Sequence, residues 1–319
     1  MPPRVQVARH PVHGVLLLDK PIGWSSNCAL QKAKWLLQAA KGGHTGTLDP
    51  LATGVLPLCF GAATKFSQGQ LDADKSYEAT VSLGVTTSTG DAEGDILQHR
   101  PVAVTTDDVA RVAASFTGAI SQMPPMYSAL KKDGRPLYDY ARAGLVVARS
   151  PRQVEIYALQ MVLMPDYPEH PAIQMTVKCS KGTYIRTLAE DIGQALGCGA
   201  HLRSLRRTAT GPYALNGCIT LADLTAMTEG ERLARLLPVD SLLYDHATVR
   251  LDAADADRFL NGLPRKGNWA DADRIAVYRD CTGSLLGTAH VSDGQLIPRR
   301  LLSLADMTQI TEGDASRPH

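Results

Sequence analysis

Residues 152–196 read RQVEIYALQMVLMPDYPEHPAIQMTVKCSKGTYIRTLAEDIGQAL. The first run, RQVEIYALQMVLM, puts Val154 and Ile156 on one face and, after a shift, Met161 and Leu163 on one face. The second, AIQMTVKCS, alternates more cleanly and gathers Ile173, Met175, Val177 and Cys179 on one side. With the proline-rich DYPEHP between them, the two read as long, neighbouring, antiparallel strands. The period then changes. Ile185, Leu188, Ala189, Ile192 and Leu196 share a helical stripe that Gly197 ends. Strands and helices in this order predict an α+β fold, a mixed and largely antiparallel sheet flanked by helices, and not a βαβ series.

Working outward, GVLLLDKP (14–21) reads as a buried strand stopped by proline, and SYEATVSLG (76–84) as a strand with Tyr77, Ala79, Val81 and Leu83 on one face. Ser25 or Ser26 is placed to cap a helix running through NCALQKAKWLLQAA (27–40), and TTDDVARVAASF carries acids suited to a helix start. GHTGTLDPLATGVLPL (43–58) shows neither period and is expected to be a loop. A helical stretch near ITLADLTAM precedes a less regular zone, and RIAVYRD, SLLGTAHVS and QLIPRR predict a small β-rich domain over 246–312. The main domain is expected over 13–245, with flexible tails at 1–12 and 313–319.

At 44% hydrophobic and 20% charged, the composition is that of a soluble globular protein. No apolar run reaches the roughly 18 residues that span a membrane, and MPPRVQVARHPVHG lacks a signal core, so a cytoplasmic location is expected. The cysteines form no C-x-x-C pair, and Cys198-x-x-His201 has no second half, so neither a disulfide framework nor a metal is expected. GAATKFS lacks the phosphate-loop spacing, and no dinucleotide, zinc-protease or nucleophile-elbow motif appears. The expectation is chemistry by side chains alone, with no cofactor.

Net charge is only +1, yet the bases are clustered. Lys178, Lys181, Arg186, Arg203, Arg206 and Arg207 stand against Glu190 and Asp191 alone between Thr176 and Gly211. Lys131, Lys132 and Arg135 form a second cluster and Arg299–Arg300 a third. Each taken singly reads as a solvated face; together they point to a polyanion.

Asp49, before Pro50, is the single acid of its glycine-rich stretch. As structure, Asp-Pro is a turn. As chemistry, the proline steers the carboxylate and the glycines let a ligand approach, which suits a nucleophile kept ionised by a cation. Arg186 pairs with Glu190 at i,i+4 on one reading, and turns inward to a carboxylate, lowering its pKa, on the other. Tyr77 and Tyr184 are core aromatics or flat surfaces for a base, and His44 a structural imidazole or an active one.

GVLLLDKPIGWSSN, GHTGTLDPLATGVLPL, ATKF, MYSALKKDGRPLYDYAR, CSKGTYIRTLAEDIG and LGCGAHLRSLRRTATG occur in that order between residues 14 and 211. Together they resemble the TruB family of tRNA pseudouridine synthases, in its bacterial stand-alone form. FLNGLP and LIPRRLL resemble, more loosely, the family's PUA-like RNA-binding domain. The resemblance implies a pseudouridine synthase fold and isomerisation of uridine 55 in the tRNA T-arm loop, without cofactor or protein partner, by a monomer. It implies that Asp49 is the nucleophile, that Arg186 salt-bridges it, and that Tyr77 stacks on the base and helps move the C5 proton. By the same match Tyr184 and Leu205 line the uridine pocket, His44 contacts the flipped-out nucleotide, and Lys20 of the DKP motif supports the site. Residues 123–152 match an RNA-contacting insertion, expected to be mobile without RNA. The RNA-backbone candidates are Lys131, Lys132, Arg135, Lys178, Lys181, Arg203, Arg206 and Arg207.

Two readings compete. One is an RNA-binding or RNA-folding module without catalysis, against which Asp49, Tyr77 and Arg186 all speak. The other is the catalytic subunit of an RNA-guided pseudouridylation particle, whose chains carry basic extended termini that this one lacks. A sugar-cleaving hydrolase would need a second acid, and none is evident in sequence near Asp49.

Overall fold

The structure, a computed structural model, describes residues 9–315. A ten-stranded sheet forms its centre. Its principal strands are β1 (Gly14–Lys20), β2 (Gly42–His44), β3 (Ala52–Phe60), β4 (Lys75–Leu83), β5 (Gly118–Gln122), β6 (Arg152–Met164), β7 (Ala172–Cys179) and β8 (Ala200–Thr210). Across the sheet the order is Ile219–Thr220, β1, β3, β8, β4, β7, β6, β5, with β2 added to β3. Ile219–Thr220 with β1, and β8 with β3, pair in parallel; the other pairs are antiparallel. The mixed, largely antiparallel sheet expected from sequence is therefore present. The shift inside β6 is a register break between Ile156 and Ala158.

Helices α1 (Ser26–Leu36), α2 (Thr106–Ser115) and α3 (Ile185–Ala195) bury their apolar stripes against this sheet, in one cluster with Leu16, Leu18, Val81, Ile173 and Met175. Ser25 caps α1 by accepting from the Cys28 amide at 3.1 Å. The helix stops at Leu36, short of the expected residue 40. Gln38 takes φ 52°, the left-handed conformation that ends a helix, and residues 38–40 turn to hydrogen-bond His10 instead. Residues 9–12 are accordingly tied to the fold, and Val12 is buried; the remainder of the expected N-terminal tail, 1–8, lies outside the described residues.

The stretch expected to be a loop is in part strand. β2 and β3 occupy 42–44 and 52–60, leaving only 45–51 as a true loop. β3 hid its period because both its faces are covered: Leu56, Leu58 and Phe60 enter the cluster beneath α1, while Val55 and Cys59 enter a second cluster on the opposite face. That second cluster continues into the C-terminal domain through Ala276 and Leu302. This domain is a five-stranded sheet ordered 247–251, 272–279, 285–292, 295–301, 265–266. α4 (Leu304–Ala315) follows, so the expected C-terminal tail begins inside a helix; 316–319 lie outside the described residues. Among the described residues no helix is long and apolar enough to cross a membrane.

Candidate active site

The loop 45–51 is held at alternate residues. Arg207 Nη2 donates to the Gly46 carbonyl at 3.2 Å. Ser26 Oγ both accepts from the Leu48 amide (2.8 Å) and donates to its carbonyl (3.0 Å). The Pro50 carbonyl accepts from the Gly23 amide (2.8 Å) and, at 3.5 Å, from Lys20 Nζ. Lys20 is fully buried and also donates to the carbonyls of Pro21 and Trp24. Burial pushes its pKa down to about 8, with Asp49 pulling the other way. With Gly46, Leu48 and Pro50 pinned, the Asp49 side chain projects into a cleft, 44% exposed.

Arg186, in the first turn of α3, turns inward. Nη2 lies 3.0 Å from Asp49 Oδ2 and Nη1 3.5 Å from Asp91 Oδ2, while Nη1 donates to Thr89 O at 3.1 Å and Nη2 to Tyr127 O. Among the described residues its ion pairs are with these two acids, not with Glu190, whose carboxyl packs at Gly90. The electrostatics differ from the sequence expectation in sign. Desolvation raises the Asp49 pKa above its ordinary value and Asp91 adds to this; Arg186 and Lys20 counter it without reversing it. Arg186 therefore limits a rise and does not produce a net fall.

The fold also supplies acids that sequence did not reveal. The segment 88–95 is closed by a hairpin of Val85–Thr87 with Ile96–His99 and fastened to β8 through Gly90, Ala92 and Leu202. This carries Asp91 and Glu93 to the cleft beside Asp49. Asp91 is buried and accepts from Thr89 Oγ1 (2.6 Å) and the Glu93 amide (3.1 Å). Burial, then Asp91 and Asp49, raise the Glu93 pKa. A second carboxylate near Asp49, expected to be missing, is thus present.

The cleft opens on both sides of the Asp49–Arg186 pair. On one side a cavity of about 440 Å³ is lined by Tyr77, Leu205, Tyr184, Lys75 and Arg207. Tyr77 (β4) and Leu205 (β8) come from adjacent strands, and Gln122 fixes Tyr184 by bonding both its amide (3.0 Å) and carbonyl (3.2 Å). On the other side about 540 Å³ is lined by Ser25–Asn27, His44, Asp91, Glu93, Tyr138 and Arg142. His44 Nδ1 is buried with no partner among the described residues, and burial followed by the nearby Arg207 lowers its pKa, favouring neutral imidazole. Each volume suits a nucleotide-sized ligand. Lys75, missed by sequence reasoning although two residues from Tyr77, donates to Leu71 and Ala73 carbonyls; burial pushes its pKa down to about 8.

The proposed RNA-backbone residues divide. Lys131, Lys132 and Arg135 are exposed on a hairpin turned by Asp133 and Gly134, both at positive φ. Lys178 and Lys181 are exposed, the latter paired with Asp72 at 2.8 Å. Arg203 pairs with Glu169 (2.8 Å) and Arg206 grips Asp19 with two bonds (3.1 and 2.7 Å). Arg207 is 1% exposed and cannot reach a phosphate outside the protein. The alternation of β8 sends Arg206 outward and Arg207 inward. Among the described residues no group of three or more His, Cys, Asp or Glu is placed to hold a metal.

Comparison with known proteins gives three family-model matches. They are described as TruB family pseudouridylate synthase (N terminal domain), over 34–185; tRNA pseudouridylate synthase B C-terminal domain, over 186–244; and Pseudouridine synthase II TruB, C-terminal, over 247–302. The tRNA pseudouridine synthase B of Verminephrobacter eiseniae (strain EF01-2) is 59% identical over 322 residues, 99% of this chain and 97% of that protein. That of Ralstonia pickettii (strain 12J) is 56% identical over 305 residues, 93% and 96% of the two chains. Among solved structures, a Cbf5-Nop10-Gar1 complex matches with TM-score 0.69 and 27% identity, covering 92% of this chain and 85% of that one. An archaeal box H/ACA sRNP Nop10-Cbf5 complex, at TM-score 0.67 and 24% identity over 92% and 86%, is alike in fold.

Proposed function

The chain belongs to the TruB family of pseudouridylate synthases, and from that premise we propose that it isomerises uridine 55 in the T-arm loop of tRNA, with Asp49 as nucleophile. It is an isomerase acting on tRNA. The observation that carries the finer reading is the carboxylate of Asp49, 3.0 Å from Arg186, on a loop pinned at Gly46, Leu48 and Pro50 and open to a cavity on either side.

The chemistry follows from that arrangement. A base paired or stacked inside a folded loop leaves no path for a carboxylate, so the uridine must turn out of the stack. Its base enters the cavity between Tyr77 and Leu205, and its ribose faces Asp49. Asp49 attacks the ribose carbon as the N1–C1′ bond breaks, the base turns, and C5 takes the place of N1. Tyr77 holds the base flat and stands at the face from which the C5 proton leaves. His44, Tyr184 and Lys20 orient the nucleotide and the loop, while Lys131, Lys132, Arg135, Lys178 and Lys181 take backbone phosphates. Identity of 59% to a tRNA pseudouridine synthase B, against 27% to the chain from the multi-protein complex, favours action alone; a monomer in the cytoplasm is part of the same proposal.

The test is tritium release from C5-labelled uridine in a T-arm stem-loop. Wild type should release it and Asp49→Asn should not, while still binding the RNA. Release by both would remove Asp49 from the chemistry; release by neither would leave a binding module.

A further inference from the structure

Arg207 is among the largest fully buried side chains of the molecule, and the bonds that hold it are all to neutral groups. Nε donates to the Val55 carbonyl at 2.7 Å and Nη2 to that of Gly46 at 3.2 Å; the Tyr77 phenol, cross-strand from it, interacts with it electrostatically. Among the described residues no carboxylate lies within 4.0 Å of the guanidinium. Arg186 is almost as buried but faces two carboxylates, Asp49 and Asp91. A buried charge without a counter-ion is costly, and arginine cannot shed its proton to escape that cost. Burial lowers the pKa of Lys20, His44 and Lys75, and the field of Arg207 adds to the fall in each. With the Asp49–Arg186 pair shared by both cavities, Asp91 and Glu93 thus lie on one side of the cleft and the cations Lys75 and Arg207 line the other.

The reaction proposed above, on which this inference rests, generates an anion in that cavity. When N1–C1′ breaks, both bonding electrons stay on N1, and the ribose carbon is taken by the Asp49 carboxylate. The base is uracilate until C5 gives a pair to C1′ and the carboxylate is released. C5 then loses its proton and N1 gains one, so nothing is left over. We propose that Arg207 is the counter-charge for the detached base, acting across the Tyr77 side chain that faces it from the adjacent strand, and not a contact to the RNA backbone. A preorganised charge in a water-poor site stabilises developing charge without reorganisation.

The experiment compares Arg207→Gln and Arg207→Lys in single-turnover isomerisation of a T-arm stem-loop, with RNA affinity measured in the Asp49→Asn background. Loss of the charge should slow the reaction by roughly 10²-fold, the effect of removing one such group, with affinity nearly unchanged, and lysine should restore part of the rate. The same variants are then run on RNA with 5-fluorouridine at the target, followed by loss of that nucleoside from digests. Fluorine makes the departing base a weaker base, so the Arg207→Gln deficit should shrink by about tenfold if the charge acts on the leaving base. A residue that only braces the loop would slow both RNAs equally, and equal deficits, or a wild-type rate in Arg207→Gln, overturn the inference. Should Arg207→Gln fail to fold, Arg207→Met, neutral and of similar length, makes the same comparison between the two RNAs. A wild type inactive on the stem-loop overturns the functional reading and this one with it; wild-type activity with equal deficits overturns this one alone.

Discussion

At the scale of residues, Asp49 was legible because its oddity is local: one acid, a proline after it, glycines around it. Asp91 and Glu93 were not, because only the closure of 85–99 onto β8 brings them to the cleft, and spacing along a chain carries no trace of that. Arg207 was misread for a different reason. A count of bases ignores the two-residue alternation of a strand, which sends one of two adjacent arginines inward. The balance of burial against Arg186 at Asp49 also has a consequence in solution. In the proposed reaction the nucleophile is the Asp49 carboxylate, so activity is expected above the Asp49 pKa and its loss as pH falls through it. Since that pKa is raised, the acid limb of the single-turnover rate should lie above the ordinary 3.8. Arg186→Gln removes the largest lowering influence, so the limb should move to still higher pH as the maximal rate falls by roughly 10²-fold. A pH–rate profile of the two proteins checks this; an unmoved limb would mean that Arg186 does not govern Asp49.

At the scale of elements, the strands and helices that have one wet face were readable, as in β7 and α3, because periodicity needs contrast. β3 has no wet face over most of its length and so no period. Its glycine is the clue that survives. Gly54 has φ +100°, and a Cβ there would stand 2.2 Å from the Arg207 carbonyl oxygen, where β3 and β8 run parallel through Leu205–Ala52, Arg206–Thr53 and Arg207–Gly54. Gly54→Ala must therefore part the strands that hold both the Asp49 loop and Arg207. We expect it to cost more than about 3 kcal/mol, in the range of strained backbone and core disruption combined, and to depress activity with it. Urea unfolding followed by circular dichroism measures this, and a loss below about 1 kcal/mol would show that the sheet yields at Gly54. The hairpin Lys131–Lys132/Arg135–Pro136 is the opposite case, an exposed two-residue turn with few buried side chains around it. Its amides should exchange quickly in the free protein and slow on addition of T-arm RNA; slow exchange without RNA would remove the idea that it orders on binding.

At the scale of the whole molecule, net charge of +1 conceals a division of labour among the bases. Lys65 joins the two domains, pairing with Asp306 at 2.7 Å and donating to the Leu301 carbonyl over a shared apolar cluster. Arg203 and Arg206 are committed to carboxylates, and Arg207 is buried. The cations left to meet a polyanion near the cleft are therefore fewer than the sequence clusters suggest, and Lys131, Lys132 and Arg135, whose ion pair with Asp139 is long at 3.9 Å, stand out among them by exposure. Each phosphate neutralised contributes about 0.7 to 0.9 to the slope of log affinity against log salt. The triple variant Lys131→Ala/Lys132→Ala/Arg135→Ala should thus flatten that slope by about 2 to 3, weakening binding chiefly at low salt. Arg206→Gln, whose bonds are already spent on Asp19, should leave the slope unchanged. Titrations of Asp49→Asn protein with T-arm RNA across a series of salt concentrations separate the two. If Arg206→Gln flattened the slope and the triple variant did not, the RNA would lie along β8 and not under the hairpin, and the pairing of Arg206 with Asp19 would have to open on binding.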